Sequence, residues 1–595
     1  MKLSDFVFKF LNEQYGIKDV FMVSGGGAMH LNDSAGNTKG INVTCFHHEQ
    51  ACAIAADGYS RVSNVLPVVN ITTGPGGTNT ITGVIGEWLD SIPVLYISGQ
   101  VKFETTIESC KELNLRQLGD QEINIIDIVK PITKYCVMIK DPNTIKYELE
   151  KALYIANDGR KGPVWIDIPL DIQATDIDIN TLKSYKPDKK EIHNNEDKIK
   201  YLIKLLEDAK SPVIIAGHGI RLAQAIKEFK ELIDILDIPV LSTFNGIDLI
   251  ETENKNYIGR IGTIGNRYGN IILQNADLVI SLGSRNNIRQ ISYNYKNFAK
   301  NAKHFVAIDI DEAELNKPTV KYTLKIKDDI KNFINNFINT FNKNNISKYK
   351  AWKEWALNIK KKYSPLLEEY KKSDDINPYY FTYELTNKLK ENTIIVSTNA
   401  TPSLTLFQVG VIKLNQRAFC NSGCAAMGFG LPAAIGASIS DKSKQVICLE
   451  GDGSLMMNLQ ELQTVSHYNL NIKIFLFNNN EYASIRQTQD NFFQRRTACD
   501  NTSGVSFPNW KMISEAFNLK YYYLDKKKDI DKTINDILNT NGPILCNIRL
   551  EKEYLFLPKI SSEKLSNGKI ISRSLEDMTP LLTKEELENN IYKEK

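Results

Sequence analysis

The sequence lacks the features that mark several large classes of protein. No apolar run approaches the roughly 18 residues that a membrane-spanning helix needs. The net charge is only +3, and the lysines are scattered among Asp, Glu and Asn, so we expect no nucleic-acid-binding face. The nine cysteines lack the spacing of a metal site, and we expect reduced thiols. The segment Lys2 to Gln14 has the pattern of a charged amphipathic helix rather than a signal peptide, so a cytoplasmic location is the expectation.

A glycine-rich turn follows a short apolar strand in the C-terminal third of the chain. The predicted strand, Gln445 to Glu450, leads into Gly451-Asp452-Gly453-Ser454. Backbone N–H groups of such a turn, together with the N-terminus of the helix behind it, can hold phosphate while Asp452 faces outwards to hold a metal ion. The turn therefore predicts a diphosphate and Mg²⁺ site.

A second strand end lies further along the chain. Helical spacing is shown by Leu455, Leu459, Leu462 and Val465. The run Ile472 to Phe477 is typical of a buried parallel strand, and it ends at Asn478-Asn479-Asn480. An Asp at one strand end and an Asn at the next can complete the oxygen shell of a hard cation. We therefore predict Asp452 and Asn479 as metal ligands.

The pattern Gly-Asp-Gly, 24 residues and then Asn-Asn is similar to that of thiamine diphosphate (ThDP) enzymes. ThDP becomes reactive when its aminopyrimidine ring tautomerises, which needs a carboxylate hydrogen-bonded to a ring nitrogen. Glu49 follows the β-rich run Ile41 to Phe46 and opens the small-residue helix Ala51 to Tyr59. A half-buried carboxyl there would have a raised proton affinity. We predict Glu49 as this acid/base.

Further motifs extend the resemblance over nearly the whole chain, to the acetolactate synthase-like branch of the ThDP enzymes. They keep the family's order and spacing, and they are Thr73-Gly74-Pro75-Gly76-Gly77-Thr78-Asn79, Asp90-Ser91-Ile92-Pro93, Ile97-Ser98-Gly99-Gln100, Gln121-Glu122 and the run from Gly423 to Ala434. Strand-like and helix-like segments alternate in three blocks, which predicts an α/β fold of three doubly wound parallel-sheet domains.

The resemblance gives each block a role. We expect a ThDP pyrimidine-binding domain over residues 1–180, a central FAD- or nucleotide-binding-like domain over 190–341, a ThDP diphosphate-binding domain over 376–550 and a C-terminal tail over 551–595. A polar linker is predicted from Lys183 to Lys198, and a charged helical connector from Asn342 to Asp375. Within the tail, the segment from Pro558 to Leu582 is expected either to fold over the active site or to be disordered.

The resemblance also implies an assembly and a set of cofactor contacts. The first and third domains of this family meet across a homodimer interface, in dimers or tetramers, so Glu49 of one subunit is expected to act on ThDP held by the other. The third metal ligand of the family is a main-chain carbonyl that falls on Glu481. The other expected cofactor contacts are Gly74, Asn79, Asn399, Ala400, Thr401, Met427, Gly451, Gly453 and Ser454, with Gln121 and Gly26 lining the reaction chamber. At positions 399–401 the residue types depart from the family's usual Gly-Val-Gly, and Met427 either props the bent cofactor or is a core methionine.

A second cofactor is suggested by the central block. Family members that keep a structural FAD bind it with a glycine turn, an arginine-rich segment and acids after later strands. Matching positions here are Gly217, Gly219, Thr243, Gly283, Arg285, Arg289, Asp309 and Asp329. Each feature alone is common in Rossmann-like sheets, so a domain that has lost the flavin is the alternative.

The implied reaction is decarboxylation of a 2-oxo acid, with pyruvate as the expected donor, and transfer of the remaining two-carbon unit to a second carbonyl compound. The acceptor pocket departs from biosynthetic acetolactate synthases, since Asp120 replaces a Phe, Leu170 replaces a Lys and Thr488 replaces a Trp. Loss of the indole widens the expected pocket, and Ser484, Arg486 and Gln487 are predicted to make it more polar.

Several functions therefore remain open from the sequence. The acceptor of a carboligase could be a small 2-oxo acid, as in acetolactate formation, or a nucleotide-linked keto-sugar, as in branched-sugar biosynthesis. A simple 2-oxo acid decarboxylase is the next alternative, and a non-enzymatic partner with this fold is disfavoured by the presence of Glu49, Asp452 and Asn479.

Overall fold

Three six-stranded sheets organise the chain, and every strand in them runs parallel to its neighbours. The computed structural model describes residues 1–188, 194–341, 348–564 and 566–593. Helices cover both faces of each sheet, so the predicted α/β fold class with three doubly wound sheets is confirmed. The apolar runs seen in the sequence become strands buried on both faces, as Pro212–Ala216 and Ile472–Asn478 illustrate.

The first sheet has the strand order β2-β1-β3-β4-β6-β5. Its strands are β1 (Asp19–Met22), β2 (Asn42–Cys45), β3 (Val68–Ile71), β4 (Leu95–Gln100), β5 (Tyr135–Met138) and β6 (Val164–Pro169). Its helices are α1 (Leu3–Tyr15), α2 (Met29–Asn37), α3 (Glu49–Ser63), α4 (Pro75–Asn79), α5 (Ile81–Asp90), α6 (Ile125–Val129), α7 (Ile145–Asn157) and α8 (Leu170–Ala174).

The second sheet has the order β12-β11-β10-β7-β8-β9. Its strands are β7 (Pro212–Ala216), β8 (Val240–Ser242), β9 (Tyr257–Arg260), β10 (Leu278–Leu282), β11 (His304–Asp309) and β12 (Leu324–Lys327). The helices of this part are α9 (Glu196–Asp208), α10 (Gly219–Leu222), α11 (Ile226–Leu236), α12 (Arg267–Asn275), α13 (Ile288–Ile291), α14 (Glu312–Asn316), α15 (Ile330–Thr340) and α16 (Lys350–Lys362). Residues 189–193 of the predicted linker and 342–347 of the predicted connector lie outside the described residues.

The third sheet has the order β14-β13-β15-β16-β18-β17. Its strands are β13 (Ile394–Ser397), β14 (Arg417–Phe419), β15 (Val446–Gly451), β16 (Ile472–Asn478), β17 (Lys520–Leu524) and β18 (Ile544–Arg549). Its helices are α17 (Pro378–Lys388), α18 (Thr401–Val409), α19 (Gly430–Ser440), α20 (Asp452–Leu455), α21 (Glu461–His467), α22 (Ala483–Phe492), α23 (Trp510–Ala516) and α24 (Ile530–Leu538).

The first and third sheets share one hydrophobic core, because α3 packs against α19 with backbone close to backbone. A Cβ atom on Gly436 would lie 1.8 Å from the carbonyl oxygen of Ala55, and one on Gly58 would lie 2.2 Å from that of Ala433. Any side chain at either glycine would force the helices apart. The small residues noted after Glu49 therefore form an inter-domain contact within one chain.

The segment after the Gly-Asp-Gly turn differs from the sequence expectation. The apolar spacing of Leu455 to Val465 predicts a continuous helix, but the structure has two short helices, α20 and α21, with turns between them. Asn458 lies in this break, and its side-chain amide donates to the carbonyl oxygen of Gly428 at 2.8 Å and to Oε1 of Gln50 at 3.2 Å. Tertiary hydrogen bonds have overridden the helical pattern here.

The described part of the C-terminal tail is folded. It forms β19 (Lys559–Ile560), β20 (Ser562–Lys564), β21 (Ile570–Ser572), β22 (Met578–Thr579) and α25 (Lys584–Asn589). Leu575 is buried in the core of the central domain, and Met578 is also buried, with its carbonyl oxygen accepting a hydrogen bond from the guanidinium of Arg267. Most of the tail therefore packs on the central domain. Within the described residues, no helix combines the length and apolarity needed to cross a bilayer.

Candidate active site

Asp452 and Asn479 lie at the same sheet edge, because β15 and β16 are adjacent parallel strands with Gly451 opposite Phe477. The carboxylate of Asp452 is buried and accepts three backbone N–H groups: Gly453 donates to Oδ1 at 2.7 Å, while Asn479 and Asn480 donate to Oδ2 at 3.2 and 2.8 Å. Burial nevertheless raises the pKa of Asp452 from 3.8 to about 7, and the three hydrogen bonds offset this only in part. A cation beside the carboxylate would favour its ionised form.

The side-chain amide of Asn479 is held by two neighbours. Its Nδ2 donates to Oε1 of Glu481 at 3.2 Å and to the hydroxyl of Tyr554 at 3.4 Å. Glu481 in turn forms a 2.6 Å ion pair with Nε of Arg486. The main-chain carbonyl of Glu481, the predicted third metal ligand, accepts the N–H of Ala483 at 3.1 Å and retains a second lone pair.

A buried polar group that the sequence prediction missed supports this turn. Glu450 is fully buried, and its carboxylate accepts the N–H groups of Leu431 and Gly451. Burial raises the pKa of Glu450 from 4.5 to about 7. Ser454 accepts the N–H of Gly428 at 2.8 Å, and its hydroxyl contacts that of Thr398 at 2.5 Å. A lone acid at the end of an apolar strand, next to Gly-Asp-Gly, was the signal available in the sequence.

Met427 lies beside the glycine turn. A Cβ atom on Gly453 would lie 2.2 Å from Cε1 of Tyr482 and 3.3 Å from the terminal methyl carbon of Met427. The turn therefore needs glycine at position 453 because an aromatic ring occupies the space of a side chain. The structure places the predicted cofactor contacts Gly453 and Met427 next to each other.

The predicted diphosphate contacts Asn399, Ala400 and Thr401 follow β13, the strand adjacent to β15. Ala400 has φ 54° and ψ −131°, a conformation that strongly favours glycine. Thr401 begins α18, and its Oγ1 hydrogen-bonds the hydroxyl of Tyr554 at 2.8 Å. These residues therefore share one edge of the sheet with Asp452 and Asn479.

Glu49 is the first residue of α3, and it lies at the edge of the first sheet with other predicted contacts. Nδ2 of Asn79 donates to Oε2 of Glu49 at 2.9 Å, and a Cβ atom on Gly76 would lie 3.7 Å from Oε1 of Glu49. Gly74 has φ 63°, and a Cβ there would lie 2.1 Å from the carbonyl oxygen of Gln121. The exposed Gly26 follows β1, which neighbours β3.

The segment just before α3 also touches the third domain of the same chain. The N–H of His47 donates to Oε1 of Glu461 at 3.1 Å, and that of Cys45 donates to the hydroxyl of Tyr468 at 2.9 Å. Among the described residues no hydrogen bond joins Glu49 to Asp452 or Asn479, and Glu49 remains partly exposed. Within one chain, therefore, Glu49 is not hydrogen-bonded to the predicted metal ligands Asp452 and Asn479.

A cavity of about 890 Å³ lies at the carboxyl ends of the central strands. Its walls include the predicted residues Gly219, Thr243, Gly283, Arg285, Arg289, Asp309 and Asp329. Gly217 packs closely against Gly283, one of these wall residues, since a Cβ on Gly217 would lie 2.2 Å from the carbonyl oxygen of Gly283. Burial raises the pKa of Asp309 to about 6. The other two domains also line the cavity, through Asp90, Ser91, Phe407 and Ser422. The sequence did not predict this contribution.

Some of the predicted acceptor residues are exposed, and others have hydrogen-bond or ion-pair partners within the chain. Asp120 and Thr488 are exposed, and the hydroxyl of Thr488 donates to the carbonyl oxygen of Ser484 at 3.0 Å. Arg486 is buried against Glu481, and Gln487 binds the backbone of Tyr554 and Phe556. Arg486 and Gln487 thus have hydrogen-bond partners within the chain, and their role in acceptor binding stays a prediction.

Comparison with known proteins agrees with this geometry. Three family models match the chain: the thiamine pyrophosphate enzyme N-terminal TPP binding domain over residues 1–125, the central domain over 199–337 and the C-terminal TPP binding domain over 403–548. The acetolactate synthase large subunit of Lactococcus lactis subsp. lactis (strain IL1403) is 32% identical over 554 residues, covering 92% of both chains. The probable acetolactate synthase large subunit of Methanococcus aeolicus is 31% identical over 580 residues, covering 93% of this chain and 92% of the relative.

The chain belongs to the acetolactate synthase-like family of thiamine pyrophosphate enzymes. It is thus a ThDP-dependent enzyme, thiamine pyrophosphate and thiamine diphosphate being two names for one compound. Within this family's fold, the donor set at the third sheet edge suits a hard cation, because Asp, Asn and a backbone carbonyl all offer oxygen ligands. Among the described residues no group of three His, Cys, Asp or Glu side chains is placed to hold a metal ion.

Proposed function

We propose that the protein is a ThDP- and Mg²⁺-dependent decarboxylating carboligase with pyruvate as its donor. The observation that carries this proposal is the shared sheet edge of Asp452 and Asn479, in a chain whose first sheet presents Glu49 hydrogen-bonded to Asn79. On this proposal residues 1–180 bind the pyrimidine ring, 376–550 the diphosphate, 190–341 a flavin, and 551–595 form the tail.

Each proposed role uses an atom that the fold leaves available. Asp452 and Asn479, with the carbonyl of Glu481, would hold Mg²⁺, and the turn at Gly451, Gly453 and Ser454 would hold the diphosphate. When bound, the thiazolium ring of ThDP supplies the electron sink that decarboxylation of a 2-oxo acid needs. Glu49 exchanges a proton with the pyrimidine ring. Because Oε2 of Glu49 accepts from Asn79, Oε1 is the oxygen free for that exchange.

We propose a homodimer or tetramer in which Glu49 of one subunit serves the Asp452 edge of another. The partial exposure of Glu49 and the exposure of Asn79 support this arrangement, since an acid/base that works in a desolvated site needs a further surface to cover it.

The central cavity is proposed to bind FAD. Its volume, about 890 Å³, lies within the range of ligand pockets, and its walls combine a glycine turn, two arginines and strand-end acids. Arg285 and Arg289 suit a pyrophosphate, and the acids suit ribose hydroxyls. A yellow protein with flavin absorption, which is lost on removal of the flavin and restored by added FAD, is the expected result.

The acceptor is the least constrained part of the proposal. Thr488 on the exposed face of α22 leaves room where relatives of the biosynthetic type carry an indole, so a nucleotide-linked keto-sugar is proposed as the second candidate beside a small 2-oxo acid. Simple decarboxylation is the remaining outcome of a test with pyruvate alone.

One experiment separates these functions. The purified protein is incubated with ThDP, Mg²⁺ and pyruvate, alone and with candidate keto-sugars, and the products are identified by mass spectrometry. Acetolactate from pyruvate alone supports the first acceptor class, a branched sugar supports the second, and free acetaldehyde identifies a decarboxylase. No release of CO₂ under any condition contradicts the proposal.

A further inference from the structure

Tyr554 comes from the segment after β18 and reaches the edge that holds the proposed cofactor contacts. Its side chain is buried, and its hydroxyl meets two residues that are far away in sequence. Oγ1 of Thr401 lies 2.8 Å from the hydroxyl oxygen, and Nδ2 of Asn479 lies 3.4 Å from it. Tyr554 therefore links a proposed diphosphate contact to a proposed metal ligand.

The orientation of the Asn479 amide follows from its neighbours. Oε1 of Glu481 lies 2.6 Å from Nε of Arg486, and a carboxylate oxygen that faces a guanidinium in this way acts as a hydrogen-bond acceptor. The amide atom 3.2 Å from Oε1 of Glu481 must consequently be the nitrogen. The same nitrogen donates its other proton to Tyr554, which leaves Oδ1 as the amide atom available to a cation.

The direction of the second hydrogen bond follows in the same way. The hydroxyl oxygen of Tyr554 accepts from Asn479, and its single proton is then donated to Oγ1 of Thr401. Thr401 must therefore direct its own hydroxyl proton elsewhere, and it stands at the N-terminus of α18, where N–H groups also favour an anion.

We propose that Tyr554 is a positioning residue, which orients Oδ1 of Asn479 towards Mg²⁺ and the hydroxyl proton of Thr401 towards the diphosphate. This inference rests on the proposed ThDP and Mg²⁺ site. Tyr554 sets two ligands at once through one directed chain of hydrogen bonds, from Asn479 to Tyr554 to Thr401.

The backbone around Tyr554 is fixed well enough for this role. Nε2 of Gln487 donates to the carbonyl oxygen of Tyr554 at 3.2 Å, and the N–H of Phe556 donates to Oε1 of Gln487 at 3.3 Å. Further along, the hydroxyl of Tyr370 donates to the carbonyl oxygen of Leu557 at 3.2 Å. Hydrogen bonds from the third domain and from the connector before it thereby hold the start of the tail, and Tyr554 cannot move without breaking these contacts.

The test is the substitution Tyr554→Phe, which keeps the ring and removes only the hydroxyl. Mg²⁺ is titrated calorimetrically into protein saturated with ThDP, and ThDP is titrated at saturating Mg²⁺. We expect the Kd for Mg²⁺ to rise about tenfold or more, because groups that orient a metal ligand typically change affinity by that factor. Tyr370→Phe is the matched control: it removes a buried hydroxyl that donates to the same segment, at Leu557, without touching Asn479, and its Kd should stay within about twofold of the unsubstituted protein.

The outcomes are distinguishable. If the unsubstituted protein binds no ThDP with Mg²⁺, the proposed function fails. If it binds and Tyr554→Phe binds Mg²⁺ equally well, the positioning role is wrong. Should Tyr554→Phe fail to fold, Thr401→Val replaces it: loss of the Thr401 hydroxyl should raise the Kd for ThDP about tenfold, and an unchanged Kd overturns the inference.

Discussion

Nδ2 of Asn79 donates a 2.9 Å hydrogen bond to Oε2 of Glu49. This contact joins the end of α4 to the start of α3 and fixes one oxygen of the proposed acid/base. It also means that Glu49 presents a defined atom, Oε1, to whatever covers the edge of the first sheet.

Glu49→Gln is expected to lower kcat for CO₂ release from pyruvate by about 10²–10⁴, because the amide cannot exchange the proton. ThDP and Mg²⁺ should still bind, since the proposed diphosphate and metal ligands lie on the third sheet. Stopped-flow detection of CO₂ and calorimetric ThDP binding check the two halves of this prediction. Asn79→Ala should lower kcat less than Glu49→Gln does. If Glu49→Gln turns over as fast as the unsubstituted protein, Glu49 has no part in the mechanism.

Binding of Mg²⁺ should strengthen as pH rises towards and through neutrality. Burial raises the pKa of Asp452 to about 7, so at lower pH a cation must displace a proton from the carboxyl. We expect the Kd for Mg²⁺, measured with ThDP present, to fall about tenfold per pH unit below the pKa and to level off above it. Glu450 titrates in the same range, with a pKa of about 7. The control Glu450→Gln should keep the dependence, and its disappearance in that variant would assign the proton to Glu450.

The raised pKa of Asp452 also predicts how the stability of the cofactor-free protein changes with pH. The pKa of Asp452 is higher in the folded state than its ordinary value of 3.8. Between these two pH values the unfolded chain loses its proton first, so the contribution of Asp452 to the free energy of unfolding falls as pH rises.

Ala400→Gly should stabilise the protein. Ala400 has φ 54°, and a side chain in such a conformation costs about 1 kcal/mol that glycine does not pay. Chemical denaturation should show an increase in the free energy of unfolding of about that size. Ala516→Gly, at an exposed helical position of α23, is the matched control with the opposite expected sign. A loss of stability in Ala400→Gly would contradict the strain.

Thr488→Trp should narrow the range of acceptors. Thr488 is exposed on α22, and an indole there would fill space that threonine leaves open. Competition between a small 2-oxo acid and a keto-sugar acceptor, read by mass spectrometry, should shift towards the small acid. If large acceptors react at the same rate in both proteins, the pocket argument is wrong.

Much of the fold was accessible from the sequence because it rests on local patterns. The strand predicted from Gln445 to Glu450 is observed one residue later, at Val446–Gly451, and the strand before Asn479 extends one residue beyond its predicted end at Phe477. Buried parallel strands are continuous apolar runs, and these are visible without knowledge of neighbours.

The features that could not be predicted from the sequence depend on contacts between residues that are distant in the chain. The helix expected across Leu455 to Val465 breaks where Asn458 bonds to Gln50 and Gly428. Arg486 appears free in the sequence but is paired with Glu481. Tyr554 is separated from Asn479 by 75 positions and from Thr401 by 153, so no spacing rule could identify it.

The central claim is that Glu49 and the Asp452 edge of different subunits form one site. Glu49→Gln and Asp452→Asn are each expected to be inactive alone, and the two variants are unfolded, mixed in equal amounts and refolded together. A shared site predicts recovery of about a quarter of the unsubstituted activity, because half of the dimers are hybrids and each hybrid has one intact site. A mixture that forms hybrids but stays inactive would contradict the claim.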